Sequence, residues 1–303
     1  MTDKPASEVL IDEHVVRSLL AEQATSFGEP ATDPLRKVAE GWDCEIWRWG
    51  DELAVRLPRR ALAAPLIAHE QKALRVLAPS LNTVGVQTPA PLLVGSPGGA
   101  FPWQWSVVPW IEGSSGLTVP RAMRAGWART LASVMRALHR EAPADAPHNP
   151  VRGVPLVERK AAVDERLEML RRSGAIEDTL LASAAARWAD ALMQPPWGGP
   201  PVWIHGDLHA ANLVVLAGRL VGVVDFGDAT AGDPAYDLAA AWLAFDSDGR
   251  ALFRSALADV YDDATWIRAE GWAAAMALLL VAHSDDMPDH LTAGIEALEE
   301  IRG

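Results

Sequence analysis

Cysteine is almost missing from this chain of 303 residues; Cys44 stands alone. That excludes an intrachain disulfide and a cysteine-built zinc cluster, and makes a reducing compartment, the cytoplasm, the expected location. Positive charge is also in deficit. Lys and Arg number 27 against 40 Asp and Glu, a net charge of −13. Nucleic acid and anionic membrane surfaces are therefore not expected partners, because both need clustered basic groups. Lysine is scarcest, at positions 4, 37, 72 and 160 only. Long apolar runs are lacking too. The longest uncharged, purely apolar run, 272–282, is too short to cross a bilayer. The first ten residues carry acidic side chains and no apolar stretch of a signal peptide. No repeat at solenoid or propeller spacing is visible.

What is present is ample core material. Half of the residues are hydrophobic and 22% are charged, which suits an ordered chain of one large domain or two ordinary ones, monomeric or homodimeric. The texture changes along the chain. An amphipathic helix over 9–22 precedes candidate strands 35–39, 45–49 and 53–57, then a helix over 65–77 ended by Ala78-Pro79. Two more strands, 89–94 and 105–108, complete a small antiparallel α+β unit. After the Gly/Ser-rich stretch 111–118 the pattern turns helical, over 121–140, 155–172 and 175–193. A Pro/Gly cluster, 195–201, introduces short strands 202–204, 213–216 and 220–224 with a tight turn at 217–219. Helices resume over 234–245, 249–261, 265–282 and 291–301. The expected division is 1–110 and 111–303.

Chemistry concentrates in the segment from Val202 to Asp225. Asp207 follows the first short strand, Asn212 precedes the second and Asp225 follows the third. A hairpin through Gly218 sets Asn212 and Asp225 side by side at one end of a two-stranded ribbon, with Asp207 on the loop entering it. One acid to orient an attacking hydroxyl, with an Asn/Asp pair offering hard oxygens to Mg²⁺, is the donor set of phosphoryl transfer. The spacing His-x-Asp-x-x-x-x-Asn, followed by Asp-Phe-Gly, matches the kinase template except that Gly206 replaces the usual arginine. That replacement, and the absence of Ala-Pro-Glu before the apolar helix at Leu238, argue against a protein kinase. His205 is read as ordering the loop, His209 as a surface or packing residue, and Asp233 and Asp237 as braces. His205, Asp207 and His209 could also be zinc ligands of a hydrolase, but no further histidine cluster accompanies them.

The segments 205–212 and 225–238 resemble the aminoglycoside phosphotransferase family, relatives of choline and macrolide kinases. The resemblance extends from about Leu35 to the C-terminal helices. It implies a bilobal, protein-kinase-like α+β fold: a small antiparallel sheet lobe that binds nucleotide and a larger, mainly helical lobe. It further implies Asp207 as the catalytic base and Asn212 and Asp225 as Mg²⁺ ligands. Arg56 stands where the family has a phosphate-binding lysine, with Glu70 as its ion-pair partner. Gly41 opens the nucleotide loop, although no G-x-G-x-x-G is present. Purine recognition falls to the carbonyl of Pro109 and the N–H of Ile111, which does not separate ATP from GTP. The implied reaction is γ-phosphoryl transfer to a hydroxyl of an antibiotic-like small molecule, an aminoglycoside first. A macrolide, a nucleoside antibiotic or a metabolite alcohol such as choline is the alternative, and a nucleotide-binding pseudokinase the non-enzymatic one. Asp246, Asp248, Asp262, Asp263, Asp285, Asp286 and Asp289 are candidate contacts for a polyamine; Trp242, Trp266 and Trp272 would suit a bulkier acceptor.

Overall fold

Every second side chain of residues 45–49 faces inward, and the following strand is buried on both faces. That combination marks a central strand next to a half-exposed one. In a computed structural model, which describes residues 4–284 and 287–303, the helix α1 (Glu13–Gln23) is followed by strands β1 (Leu35–Glu40), β2 (Cys44–Trp49) and β3 (Leu53–Pro58). The helix α2 (Ala64–Thr83) then leads to β4 (Leu93–Gly95) and β5 (Trp105–Pro109). The five strands form one antiparallel sheet in the order β1-β2-β3-β5-β4. Trp47, Trp49, Phe101 and Trp105 fill a small core between this sheet and α1.

The helix α2 departs from the sequence expectation. It runs through Pro79 to Thr83. Proline removes one helical hydrogen bond, but Leu74, Leu77, Ala78 and Leu81 present a continuous buried face that outweighs it. Leu74, Leu77 and Leu81 belong to the large helical core rather than to the small sheet core. The helix therefore packs on the larger core and is tied to the sheet by Gln71, which donates to the Trp105 carbonyl at 3.1 Å.

The remaining elements surround that larger core. β6 (Ser114–Ser115) precedes a 3₁₀ stretch, Arg121–Trp127, and the helix α3 (Ala128–Leu138), so the helix expected over 121–140 is α-helical only in its second half. Next come α4 (Leu156–Ser173), α5 (Asp178–Leu192), β7 (Val202–Ile204), β8 (Leu213–Leu216), β9 (Arg219–Val223) and β10 (Thr230–Gly232). Short helices α6 (Ala235–Leu238) and α7 (Ala240–Leu243) divide the expected 234–245 helix, and α8 (Ser247–Ser255), α9 (Asp263–Ala282) and α10 (Pro288–Arg302) complete the chain. β6, β8 and β9 form one small sheet, β7 and β10 another. Ala217 and Gly218 both adopt positive φ, at 48° and 76°, which gives the β8–β9 hairpin a turn whose twist suits antiparallel strands. α9 passes by length and composition as a membrane span, yet 72% of that window is buried within the protein. It is the spine against which α4, α5, α6 and α10 pack.

Candidate active site

The loop after β7 is shaped by one residue that cannot be replaced freely. Gly206 has φ of +83°, and a Cβ there would lie 2.4 Å from the carbonyl oxygen of Asp228. Only glycine meets both conditions without strain. Asp237, fully buried on α6, accepts from the N–H of His205 at 2.6 Å and of Gly206 at 3.0 Å. His205 donates from Nε2 to the carbonyl of Val224 at 2.9 Å and accepts at Nδ1 from the N–H of Asp207 at 3.2 Å. Its partners thus fix its tautomer and tie the loop to the end of β9. The reading of His205 and Asp237 as ordering residues agrees with this geometry. Asp233 is a brace as well: it caps α6 through the N–H of Ala235 and forms a buried ion pair with Arg268 at 2.7 Å.

The loop presents Asp207 to a half-open cleft. Asn212 donates from Nδ2 to the Asp207 carbonyl at 2.8 Å and to its carboxylate at 3.3 Å. Among the described residues the Oδ1 of Asn212 takes no hydrogen bond. His209 accepts at Nδ1 from the N–H of Ala211, which leaves the proton on Nε2, 3.4 Å from the Asp207 carboxylate. Burial alone would raise the pKa of Asp207, but His209 and Arg152 outweigh it and hold the carboxyl well below its ordinary range.

Asp225 reaches the same place from the other strand. The N–H of Val224 donates to the Asn212 carbonyl at 3.0 Å, so Asn212 and Asp225 flank one end of the hairpin. Asp225 sits at φ of +67° with a mostly exposed carboxylate, a backbone strain of the kind found at functional sites. Arg56 of β3 faces it at 3.5 Å and faces Glu70 of α2 at 2.9 Å. The second Glu70 oxygen accepts from the N–H of Phe226 at 3.1 Å. Burial dominates Glu70 and pushes its carboxyl up to about 7, against the pull of Arg56; the neighbouring carboxylates keep Arg56 firmly protonated despite its own burial.

The other expected nucleotide contacts fall as follows. The Gly41 N–H donates to the Cys44 carbonyl at 2.9 Å, and its own carbonyl accepts from Arg59 at 2.9 Å. Gly41 therefore shapes the tight turn between β1 and β2, with its own N–H engaged within that turn. The tip of the turn crosses the cleft, where Trp42 donates to the Met287 sulfur at 3.2 Å. Pro109 ends β5; the N–H of Trp110 donates to the Glu52 carbonyl at 2.7 Å, and the N–H of Ile111 has no partner among the described residues. A donor thus remains at the connection between sheet and helices. Pro109 also borders a cavity of about 550 Å³ shared with Gln87, Thr88 and Leu92.

One carboxylate and one free amide oxygen suit a hard cation that brings most of its remaining ligands on a phosphate. No group of three or more His, Cys, Asp or Glu side chains among the described residues could hold a metal by itself. The oxygens of Asn212 and Asp225 therefore fit a hard cation such as Mg²⁺ arriving with a nucleotide.

Sequence reasoning missed Arg152. Its guanidinium lies 3.1 Å from Asp228 and 3.6 Å from Asp207, and donates to the Tyr236 hydroxyl at 2.7 Å. Asn149 holds Asp228 from the other side at 2.8 Å and accepts from the N–H groups of Val151 and Arg152. The segment has no periodicity; an Asn-Pro-x-Arg-Gly turn was the one signal available. Among the described residues, the acidic residues considered as acceptor contacts start helices. Asp246 and Asp262 cap α8 and α9, accepting from Gly249 and Thr265, while Asp248, Asp263 and Asp289 occupy first helical turns. Asp285 and Asp286 lie outside the described residues. Trp242 and Trp266 are core residues, and Trp272 both packs in the core and borders a cavity.

The family model described as the phosphotransferase enzyme family matches residues 34–278. Solved structures with the same fold include the GDP complex of wild-type aminoglycoside 2'-phosphotransferase-IIIa, at 18% identity and a TM-score of 0.71, covering 95% of this chain and 97% of that one. Another is macrolide 2'-phosphotransferase MphH from Brachybacterium faecium, at 23% identity and a TM-score of 0.63, with coverage of 95% and 97%. The GDP and kanamycin complex of APH(2")-IIia matches at 17% identity with a TM-score of 0.67, covering 96% of this chain and 98% of that one. At these identities the structures share the fold: a sheet region joined to a helical region in the bilobal, protein-kinase-like manner. By its match over most of the sequence, this chain belongs to the phosphotransferase enzyme family.

Proposed function

We propose that this protein is a Mg²⁺-dependent kinase that transfers the γ-phosphoryl group of ATP or GTP to an alcohol of an antibiotic-like small molecule. Residues 1–110 form its nucleotide lobe and 111–303 its catalytic and acceptor lobe. The observation that carries this reading is the meeting of Asp207, Asn212 and Asp225 at one end of the β8–β9 hairpin, opposite Arg56. Mg²⁺ when bound would screen phosphate charge. Arg56 binds phosphate oxygens, and its fork allows this while Glu70 keeps its place. Asp207, held ionised, accepts a hydrogen bond from the acceptor hydroxyl and orients it toward phosphorus. A weakly basic aspartate suits a loose transition state in which proton removal is late and positioning supplies most of the rate. The N–H of Ile111 and the carbonyl of Pro109 receive the purine; structures of the fold exist with GDP, ADP and ATP, and both donors belong in the test.

The aminoglycoside reading of the acceptor draws support from relatives solved with kanamycin and gentamicin. Of the acidic side chains that would hold such a polyamine, two cap helices and three occupy first helical turns among the described residues. A less cationic acceptor, of the macrolide or nucleoside type, is the alternative, and the relative solved as a macrolide 2'-phosphotransferase keeps it in the test. The test is a coupled diphosphate-release screen across antibiotic classes, each with ATP and with GTP. Turnover with at least one alcohol is expected, and Asp207→Asn should lower it by about 10²–10⁴-fold with nucleotide affinity retained. Nucleotide binding without transfer to any alcohol would support the pseudokinase instead.

A further inference from the structure

The helix α4 carries five basic residues. Three of them pair with carboxylates on the same helix: Lys160 with Asp164, and Arg171 and Arg172 with Glu168. Arg159 and Arg166 do not pair with any carboxylate among the described residues. They stand seven positions apart, with Val163 between them, so all three lie on one face of the helix. That face lines a cavity of about 230 Å³ whose opposite wall includes Trp272 and Met276 of α9. Arg152 and Tyr236 close one side of it. Among the described residues no carboxylate lines the cavity.

The arginines there are poorly compensated. The Arg166 Nε is buried without a hydrogen-bond partner among the described residues. Burial, and then the charges of Arg159 and Arg152, make its protonated form costlier than usual. Arg152 is satisfied by Asp228 and Tyr236, but it also touches Asp207, so a single side chain separates the cavity from the proposed reacting hydroxyl. A helix rises about 1.5 Å per residue, which sets Arg159 and Arg166 roughly 10 Å apart along α4. Guanidinium groups lining a pocket with an indole and a thioether recognise a planar anion on an apolar body. A polyamine would meet only repulsion.

We propose that the cavity between α4 and α9 is the acceptor subsite for an anionic group, a carboxylate or a phosphate monoester carried on a compact apolar frame, held by Arg159 and Arg166. The proposal deepens the kinase reading above and rests on it for the word acceptor. Its volume is below the usual range for drug-sized ligands, so it takes a small acceptor whole, or one arm of a larger one.

The test is calorimetric titration with mandelate, its neutral amide mandelamide, the cationic phenylglycinol, and phenyl phosphate, each with the nucleotide cleft filled by ADP and Mg²⁺ and each without nucleotide. Mandelate or phenyl phosphate should bind about tenfold more tightly than mandelamide, and the stronger of the two identifies the anion. The double variant Arg159→Gln, Arg166→Gln should lose that preference while its ADP affinity and mandelamide affinity are unchanged. Arg171→Gln should keep the preference. Should the double variant fail to fold by its melting profile, the two single variants carry the measurement. Equal affinity for acid and amide, tighter binding of phenylglycinol, survival of the preference in the variants, or binding of none of the probes would overturn the proposal. Failure to bind ADP would instead count against the kinase reading, since the anion preference is also measured without nucleotide.

Discussion

The two sides of the cleft hold their charged groups by different means. On the sheet side, Arg56 is placed by an ion pair with Glu70 and by a strand buried on both faces. On the helical side, Asp207 is placed by backbone: a left-handed glycine, two N–H groups received by Asp237, and a histidine bonded at both ring nitrogens. A single ion pair concentrates the energy in one contact, and each partner is costly without the other. A hydrogen-bonded loop spreads it over several groups, and the group at its centre becomes the critical one. The sheet side should therefore tolerate changes that its ionisable partner can absorb by taking up or releasing a proton, while the loop side should fail when its central acceptor is lost.

The largest effect should come from Asp237→Ala. It would leave the N–H groups of His205 and Gly206 buried without an acceptor and remove one of the two partners of His139, 3.2 Å away. A loss of about 3 kcal/mol is expected, because each orphaned buried donor costs of order 1–3 kcal/mol. Thermal or urea unfolding reads it, and turnover should fall with it. Asp237→Asn should be milder, since one side-chain oxygen remains. Similar stabilities for Asp237→Ala and wild type would mean that water or a shifted loop satisfies these groups.

Arg56→Ala comes next, at about 2 kcal/mol, less than the loss expected for breaking a buried pair outright. The reason is Glu70, whose carboxyl is already pushed up to about 7 and can take a proton when its partner goes. Nucleotide affinity should fall further than stability does. Arg56→Lys should restore part of that affinity, because a lysine can neutralise phosphate but cannot fork to Glu70 and Asp225 together. If Arg56→Ala lost more stability than Asp237→Ala, the contrast between the two sides would be reversed.

The contrast also marks what was legible in the sequence. The Asp207–Asn212–Asp225 set was readable because each residue sits at the end of a short strand, and strand order with a tight turn fixes their relative placement. Arg56 and Glu70 were legible only through the family resemblance, which places one on a strand and the other on the next helix. Arg152 was not: it enters from a turn 55 positions before Asp207, and only the packing of α4 on α9 decides where that turn lies. Nor was the passage of α2 through Pro79, since the local rule for proline was overridden by a buried face that belongs to the other core. The roles of the acidic residues were not legible, because a carboxylate at a helix start serves equally as cap and as ligand, and spacing does not separate the two.

Gly206→Ala tests the loop with a smaller change. A left-handed conformation costs an L-residue about 1–2 kcal/mol, and the added Cβ would press on the Asp228 carbonyl. Stability should fall by about that amount. Turnover should fall more than nucleotide affinity, because Asp207 is the next residue and Arg56 is on the other side of the cleft.

The smallest effect concerns Glu70 and pH. Its carboxyl ordinarily titrates near 4.5 and in the folded protein near 7, burial being the main cause. Between those values the folded chain binds a proton that the unfolded chain has released, so the contribution of Glu70 to stability is complete below about 4.5 and declines as pH rises through about 7. Other carboxylates change stability over the same range, but they are common to the wild type and to Glu70→Gln. The difference in unfolding free energy, wild type minus variant, should therefore decrease from pH 5 to pH 8 by about 1 kcal/mol or more, the worth of roughly one pKa unit. A difference that rose with pH would mean that the pull of Arg56 exceeds the penalty of burial. The sheet side would then hold a fixed ion pair, with no capacity to relieve the loss of one partner, and Arg56→Ala would move up to the largest effect.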